Sequence, residues 1–181
     1  MPTSGYHKIP AVMSVLQHVK DVRTVLDVGI GFGKYGFLMR EHLDVRRRCY
    51  SPTEWLTQID GVEIWDRYIT PVQRYVYDQI YIGDIRELEP QLPAYDLILL
   101  CDVIEHMPYL EGVMLLQALF ERHTKQAIVV SYPPIIGHDW KRWENPNEKH
   151  HVVWTPKMLR AKFPGRVIQQ TPQVCFLVKE S

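Results

Sequence analysis

Short apolar segments rich in β-branched residues alternate with stretches of helical periodicity along the chain. Apolar runs of about four to eight residues are typical of buried strands, and helices between them allow successive strands to run parallel. The pattern therefore predicts a mostly parallel sheet covered by helices on both faces. The predicted strands are Thr24–Val28, Thr57–Glu63, Gln79–Ile82, Tyr95–Cys101, Ala127–Tyr132, Val167–Thr171 and Val174–Val178. The predicted helices are Pro10–Val19, Lys34–Val45, Pro71–Tyr77, Gly112–Arg122 and Pro156–Lys162.

Two connections depart from this alternation. The last two strands are so close around Thr171 and Pro172 that no crossover helix fits between them, which predicts an antiparallel hairpin at one edge of a mixed sheet. A long aperiodic segment with several prolines follows the fifth strand. Long loops in compact domains are often functional, so we expect a substrate-side loop over residues 133–155.

Composition and charge narrow the class of protein. A chain of 181 residues fits one domain, and no apolar stretch approaches the ~20 residues that span a bilayer. The N-terminus lacks a secretory signal, so we expect a cytoplasmic protein, monomeric or homodimeric, without a membrane anchor. Basic and acidic residues both number 21, so no global field attracts a polyanion. A nucleic-acid partner is disfavoured, and a small-molecule partner is expected.

A glycine-rich turn is the strongest local signal. The sequence VLDVGIGFGKYG leads from the first strand into a helix, where glycines permit a positive φ and the helix N-terminus offers free N–H groups. The GxGxxG dinucleotide pattern is also present, but counting from Gly29, directly after the strand, puts Lys34 at its third glycine position. Asp27 would repel a pyrophosphate and could instead hold an amino group. The turn therefore favours a cofactor that carries an amino acid.

The segment DVGIGFG resembles the DxGxGxG motif of class I S-adenosylmethionine (SAM) dependent methyltransferases, in particular the small bacterial type. GVEIW, IGDIREL and YDLILLCDVIEHM follow in the order of that family's later motifs. The resemblance implies S-adenosyl-L-methionine as cofactor. It also implies an α/β fold with a Rossmann-like, doubly wound, seven-stranded mixed sheet and an antiparallel last strand, in an α/β/α sandwich.

The resemblance also implies roles for residues. Glu63 would accept hydrogen bonds from the ribose hydroxyls, Asp84 would recognise the adenine amino group, and Asp102 would border the methionine moiety. An N-terminal helix and lid over residues 1–20 would bring Tyr6 and His7 over the cofactor. The full cofactor-binding set is Asp27, Gly29, Gly31, Gly33, Glu63, Ile64, Asp84, Ile85, Cys101 and Asp102.

Methyl transfer to a hydroxyl or an amine needs orientation, desolvation and a base. His106, just past the fourth strand, is the candidate base, and Asp102 completes the predicted catalytic pair. The segment GHDWKRWENPNEKHHVVWTP resembles the substrate-side loop of small bacterial methyltransferases whose acceptors are often sugars or other small metabolites. Its tryptophans predict either stacking on the acceptor or packing that tethers the loop. They are Trp140, Trp143 and Trp154.

Two alternatives remain open. DxxEH followed by HxxxWT resembles the metal-binding set of small-RNA 2′-O-methyltransferases, with Asp in place of the first Glu ligand. On this interpretation the metal ligands would be Asp102, Glu105, His106 and His150. Without a metal, His106 would cap the strand-to-helix turn and His150 would line the pocket, and this is the interpretation we adopt. The absence of an NPPY-like motif also leaves open a non-catalytic SAM-binding module.

Overall fold

The computed structural model describes residues 3–135 and 145–179. Its sheet has seven strands in the order β3-β2-β1-β4-β5-β7-β6. All neighbouring strands pair in parallel except β7, which runs antiparallel to both β5 and β6. The strands are β1 Thr24–Val28, β2 Gln58–Glu63, β3 Gln79–Ile82, β4 Tyr95–Cys101, β5 Thr124–Ser131, β6 Val167–Thr171 and β7 Val174–Val178. The predicted Rossmann-like mixed sheet with its terminal hairpin is confirmed.

Helices connect the strands on both sides of the sheet. They are α1 Ile9–Met13, α2 Lys34–Leu43, α3 Pro71–Val76, α4 Ile85–Leu88, α5 Tyr109–Ala118 and α6 Pro156–Lys162. Thr70 and Thr155 cap α3 and α6 by accepting hydrogen bonds from backbone N–H groups within the first turn. The predicted start of α5 at Gly112 is wrong, because the helix begins at Tyr109, directly after Pro108. Of the described residues, no helix is long and apolar enough to cross a membrane.

The core is divided by the sheet into two layers. Side chains alternate along each strand, so Leu26 and Val28 pack in the layer containing α5 and α6. Val25 packs in the other layer, against residues of α1, α2 and α3. Successive side chains of β4 likewise point alternately into one layer and the other. This period of two produces the α/β/α sandwich that the sequence pattern predicts.

The order of the strands fixes where a ligand can bind. From β1 the chain proceeds to β2 and β3 on one side, then returns to β4 on the other side of β1. The connections after β1 and β4 therefore leave in opposite directions. In open α/β sheets, a crevice forms at the carboxyl ends of the strands at such a switch point, and it is the usual ligand site.

Candidate active site

A cavity of about 420 Å³ opens at this switch point. Its wall includes the ends of β1, β2 and β4, the turns that follow them, and described residues from both the N-terminal segment and the segment before α6. The volume falls within the usual range for small-molecule and cofactor pockets. The cavity therefore brings together the motifs that the sequence analysis singled out.

The glycine-rich turn forms one wall of the cavity. Gly29, Gly31 and Gly33 have φ values of +73°, +46° and +83°, which side chains with a Cβ rarely adopt. A Cβ on Gly29 would also lie 2.6 Å from Cγ2 of Val103. Gly33 precedes α2 without a side-chain cap, so the first N–H groups of that helix are left for other acceptors. The turn thus allows a ligand to approach the backbone closely, and it lies next to the N-terminus of α2.

Asp27 lies buried beneath this turn. Tyr77 donates a hydrogen bond of 2.6 Å to one of its carboxylate oxygens. Burial raises the pKa of Asp27 to about 7, although the hydrogen bond from Tyr77 acts to lower it. Asp27 also borders the cavity. Its contact with a cofactor amino group stays a prediction. Tyr77 was not predicted as part of the site, because its helical position gave no indication of this contact.

Glu63 ends β2 at the cavity wall. One carboxylate oxygen accepts from the backbone N–H of Gly31 at 2.9 Å, and the other accepts from that of Trp65 at 3.0 Å. Burial raises the pKa of Glu63, and these hydrogen bonds partly oppose the shift. A carboxylate has about four lone-pair sites, so two bonds leave capacity for a ligand's hydroxyls. Ile64, the next residue, is exposed along the same wall.

Asp84 and Ile85 follow β3. Asp84 caps α4 by accepting from the backbone N–H of Arg86 at 2.9 Å, and it also pairs with the Arg86 guanidinium. These contacts lower the pKa of Asp84. Ile85 is buried, and both residues border the cavity. The carboxylate of Asp84 is thus already used as a helix cap, and its predicted contact with the adenine stays a prediction.

Cys101 and Asp102 form the end of β4 and the first residue after it. Cys101 is buried, whereas Asp102 has a left-handed φ of +61° and accepts from Ser131 Oγ at 3.2 Å. Asp102 is also paired with Lys8 of the N-terminal segment. Its carboxylate is therefore held in an ion pair beside the cavity, and its predicted catalytic role stays a prediction. Lys8 was missed because it is 94 residues distant in sequence.

Glu105, His106 and His150 form a cluster in which the potential ligand atoms all lie within 4.8 Å of one another. The rings of His106 and His150 meet edge to face, with centroids 4.8 Å apart. Glu105 is only 1% exposed, and neither of its carboxylate oxygens has a hydrogen-bond partner among the described residues. Burial raises its pKa well above the usual range. Three of the four residues of the alternative metal set thus come together, while Asp102 pairs with Lys8 instead.

Two hydrogen bonds hold the segment that carries His150 against the end of β4. The N–H of His151 donates to the carbonyl of Glu105 at 2.7 Å, and Trp154 Nε1 donates to the carbonyl of Ile104 at 3.1 Å. Trp154 is 2% exposed and packs against Tyr109. The predicted stacking of Trp154 on an acceptor is therefore wrong, and its packing role is confirmed. Trp140 and Trp143 lie outside the described residues.

A second buried group faces the cavity from the same segment. Glu148 Oε1 accepts from Tyr68 Oη at 3.1 Å and from Asn145 Nδ2 at 3.3 Å. Burial raises the pKa of Glu148 to about 7. The sequence analysis did not select this residue. The turn-forming Asn-Pro pair just before it was the available signal, because it fixes the backbone that carries Glu148.

The N-terminal segment closes one side of the cavity. Ser4 Oγ donates to the carbonyl of Cys101 at 3.1 Å, and Lys34 donates in turn to the carbonyl of Ser4. His7 lies on the cavity wall, where its Nε2 is 3.3 Å from Gln173 Oε1. Tyr6 is 82% exposed and is not among the cavity residues. Of the two residues predicted to lie over the cofactor, His7 lines the cavity and Tyr6 does not, and the lid itself stays a prediction.

Comparison of the whole fold with solved structures gives many matches. Magnesium protoporphyrin IX methyltransferase from Synechocystis, with bound SAH, superposes with a TM-score of 0.60 at 14% identity, over 96% of this chain and 82% of that one. A SAM-dependent methyltransferase from Archaeoglobus fulgidus superposes with a TM-score of 0.59 at 20% identity, over 84% of this chain and 64% of that one. The chain has the class I SAM-dependent methyltransferase fold. The small RNA methyltransferase HEN1 also matches, with a TM-score of 0.59 at 18% identity, over 100% of this chain and 27% of that one.

These likenesses establish the methyltransferase fold and not a particular reaction. The chain spans 64% of the length of the Archaeoglobus protein and 27% of the RNA methyltransferase. No protein-family model and no curated protein matches the sequence. The chemistry of the site therefore has to be argued from its own residues.

Proposed function

We propose that this protein transfers a methyl group from S-adenosyl-L-methionine to an oxygen or nitrogen atom of a small-molecule acceptor. The observation that carries the proposal is the position of Glu63. Its buried carboxylate ends β2 at the switch point of the sheet and touches the backbone of the glycine-rich turn. A two-oxygen acceptor at this place suits the neighbouring hydroxyls of a ribose, and hydrogen bonds from hydroxyls to a charged group are strong.

The other walls of the cavity suit the remaining parts of the cofactor. Ile64 and Ile85 offer apolar surface beside Asp84, where an adenine would lie. The turn from Gly29 to Gly33 would border the ribose and the sulfur. When bound, S-adenosyl-L-methionine supplies an electrophilic methyl group on a positively charged sulfur.

His106 is the residue we propose as the base on the acceptor side. It borders the cavity directly after β4, beside His150. A neutral imidazole at this place would accept the proton of an attacking hydroxyl group, or deprotonate an ammonium group before its nitrogen attacks. Asp102, which is neutralised by Lys8, is better suited to contact the cofactor than to accept this proton.

A small acceptor is supported by the balance of charge, since 21 basic and 21 acidic residues give no overall attraction for a polyanion. Among the structures with this fold, one acts on magnesium protoporphyrin IX, which is a small molecule.

Calorimetry of the purified protein against SAM, its demethylated product S-adenosyl-L-homocysteine (SAH), and NAD tests the cofactor assignment. We expect SAM and SAH to bind and NAD not to bind. Binding of NAD alone would reject the proposal. A screen of acceptors with methyl-labelled SAM then separates an enzyme from a SAM-binding module, because the module would bind SAM without labelling any acceptor.

A second candidate function is metal-dependent methyl transfer to a hydroxyl group, favoured by the Glu105 cluster. A buried carboxylate without a hydrogen-bond donor is costly, and a divalent cation held by Glu105, His106 and His150 would offset that cost. One carboxylate and two imidazoles fit manganese, iron or magnesium. When bound, such a metal lowers the pKa of a coordinated hydroxyl.

Manganese titration monitored by calorimetry tests this second candidate. We expect the wild-type protein to bind Mn²⁺ and the Glu105→Gln variant to lose that binding, while the exposed control Glu111→Gln keeps it. A purified protein without metal, together with no Mn²⁺ binding and no effect of a chelator on SAM binding, would end the metal hypothesis and leave the first proposal intact.

A further inference from the structure

Glu148 is a buried carboxylate on the cavity wall that the proposed methyl transfer does not use. It is 9% exposed and lies in the segment before α6, close in sequence to His150. Tyr68 and Asn145 donate to the same oxygen, Oε1, and these are the two hydrogen bonds that the described residues give to this carboxylate. One oxygen is therefore held in place, and Oε2 is left to accept from a ligand.

Glu105 contributes a second carboxylate to the cavity wall. It is 1% exposed, and neither of its oxygens has a hydrogen-bond partner among the described residues. Burial raises the pKa of Glu105, and the charges of Asp102 and Glu148 add to the rise, so Glu105 and Glu148 are close enough to repel each other. Buried carboxylates without a cation are costly, and a positively charged ligand between them would offset this cost.

The basic side chains of the cavity wall are already used elsewhere. Within the described residues, six acidic and three lysine or arginine side chains border the cavity. The three basic groups and their acceptors are Lys8 with Asp102, Lys34 with the carbonyl of Ser4, and Arg86 with Asp84 and Glu111. The single net positive charge of a bound cofactor compensates for only part of the acidic excess. The cavity therefore attracts a further cation.

We propose that Glu148 binds a protonated amino group of the methyl acceptor, so that the acceptor is a small-molecule amine. The assignment rests on the proposed function and names the class of its acceptor. Oε2 of Glu148 accepts from the ammonium group, and Glu105 adds a second negative charge near it. An acceptor with a neutral hydroxyl group at the same place would leave both carboxylates without a compensating charge.

Hydrogen bonds connect Glu148 to the glycine-rich turn. Gln73 of α3 is 1% exposed, and its Nε2 donates both to the carbonyl of Gly31 and to that of Tyr68. Tyr68 in turn donates to Glu148 through its hydroxyl group. The residue that binds the acceptor is thus held at a fixed position relative to the turn that would border the sulfur. Methyl transfer requires this kind of fixed orientation between the two reactants.

The test measures whether the protein saturated with SAH prefers amines to alcohols of the same shape. The probes are cyclohexylamine with cyclohexanol, benzylamine with benzyl alcohol, and ethanolamine with ethylene glycol. Affinities come from nuclear magnetic resonance titrations of the wild type, Glu148→Gln and the exposed control Glu41→Gln, with a chelator present to keep metal ions from Glu105. The wild type and the control should prefer the amine at least about tenfold in one or more pairs, as for a charged hydrogen bond. Glu148→Gln should lose most of this preference and keep its affinity for SAH.

The preference is a ratio within each variant, and glutamine can still accept from Tyr68 and Asn145, so a loss of folded protein does not mimic the result. The inference is overturned if no amine binds the wild type more tightly than its alcohol, or if the preference persists in Glu148→Gln. A Glu148→Gln variant that binds SAH at least about tenfold more weakly would overturn it as well, because Glu148 would then belong to the cofactor site. If the wild type does not bind SAH, the cofactor assignment fails together with this inference, and calorimetry against SAH alone identifies that outcome.

Discussion

Glu63 accepts a hydrogen bond from the backbone N–H of Gly31 at 2.9 Å, and this contact joins the two motifs that are most diagnostic in the sequence. One motif supplies a glycine turn with positive φ values, and the other supplies a buried carboxylate at the end of the adjacent strand. The carboxylate therefore holds the turn before any ligand is present. A site ordered in this way loses less conformational entropy on binding.

We predict that Gly29→Ala destabilises the protein more than Gly165→Ala does. Both glycines have a φ near +72°, so both variants carry the cost of a left-handed alanine, about 1 kcal/mol. Only at Gly29 does the new Cβ also meet Val103, at 2.6 Å. Denaturant unfolding should show an additional loss of about 1–3 kcal/mol for Gly29→Ala.

The double variant Gly29→Ala/Val103→Ala provides the control for this steric account. Removing the Val103 methyl groups should recover part of the stability lost in Gly29→Ala. An equal loss of stability in Gly29→Ala and Gly165→Ala would show that Val103 does not restrict the turn.

Stability should fall as the pH rises through the acidic and neutral range. The pKa of Asp27 is about 7 in the folded protein and 3.8 as its ordinary value, so between these values the folded state binds more protons than the unfolded chain. The free energy of unfolding therefore decreases with pH in this window. Burial raises the pKa of Glu148 to about 7 as well, which adds to the same slope.

Urea unfolding at about pH 4.5, 5.5 and 6.5 measures this dependence. Asp27→Asn should reduce the slope, and Asp27→Asn combined with Glu148→Gln should reduce it further. Asp66→Asn, at an exposed carboxylate, should leave it unchanged. A stability that increases over this range in the wild type, with no response to either substitution, would contradict the burial of these two acids in their proton-bound form.

Trp154→Phe should destabilise the protein more than Trp55→Phe. Trp154 Nε1 donates to the carbonyl of Ile104, and its removal leaves a buried carbonyl without this donor, at a cost of about 1–3 kcal/mol. Trp55 Nε1 is also buried but has no hydrogen-bond partner among the described residues. Equal midpoints of thermal unfolding for the two variants would argue against a structural role for the Trp154 hydrogen bond.

The strands were predictable because each one is a buried run of β-branched and aliphatic residues bounded by turn residues. Five of the seven predicted strands have the observed bounds, and β5 differs most, since it begins at Thr124 instead of Ala127. Thr124, Lys125 and Gln126 lack an apolar pattern. Thr124 nevertheless pairs with Tyr95 of β4, and a register shift separates this pair from the next one at Ala127. The four-residue helix α4 was missed because one turn is too short to display a period.

The site was predictable where its residues lie beside the strand ends, as Glu63, Asp84 and His106 do. Lys8 and Glu148 were not predictable in this way, because each depends on a partner far away in sequence, Asp102 and Tyr68 respectively. Local pattern and charge do not encode such pairings. The same reason explains why the pairing of Asp102 with Lys8 was not anticipated, and the catalytic role of Asp102 stays a prediction.

The most direct test of the account is the affinity of SAM for Glu63 variants, measured by calorimetry. Loss of a charged hydrogen-bond acceptor for the ribose should weaken binding at least about tenfold in Glu63→Ala, and less in Glu63→Gln. The exposed control Glu41→Gln should bind SAM as the wild type does. If folded Glu63→Ala binds SAM with wild-type affinity, the cleft at the end of β2 is not the cofactor site.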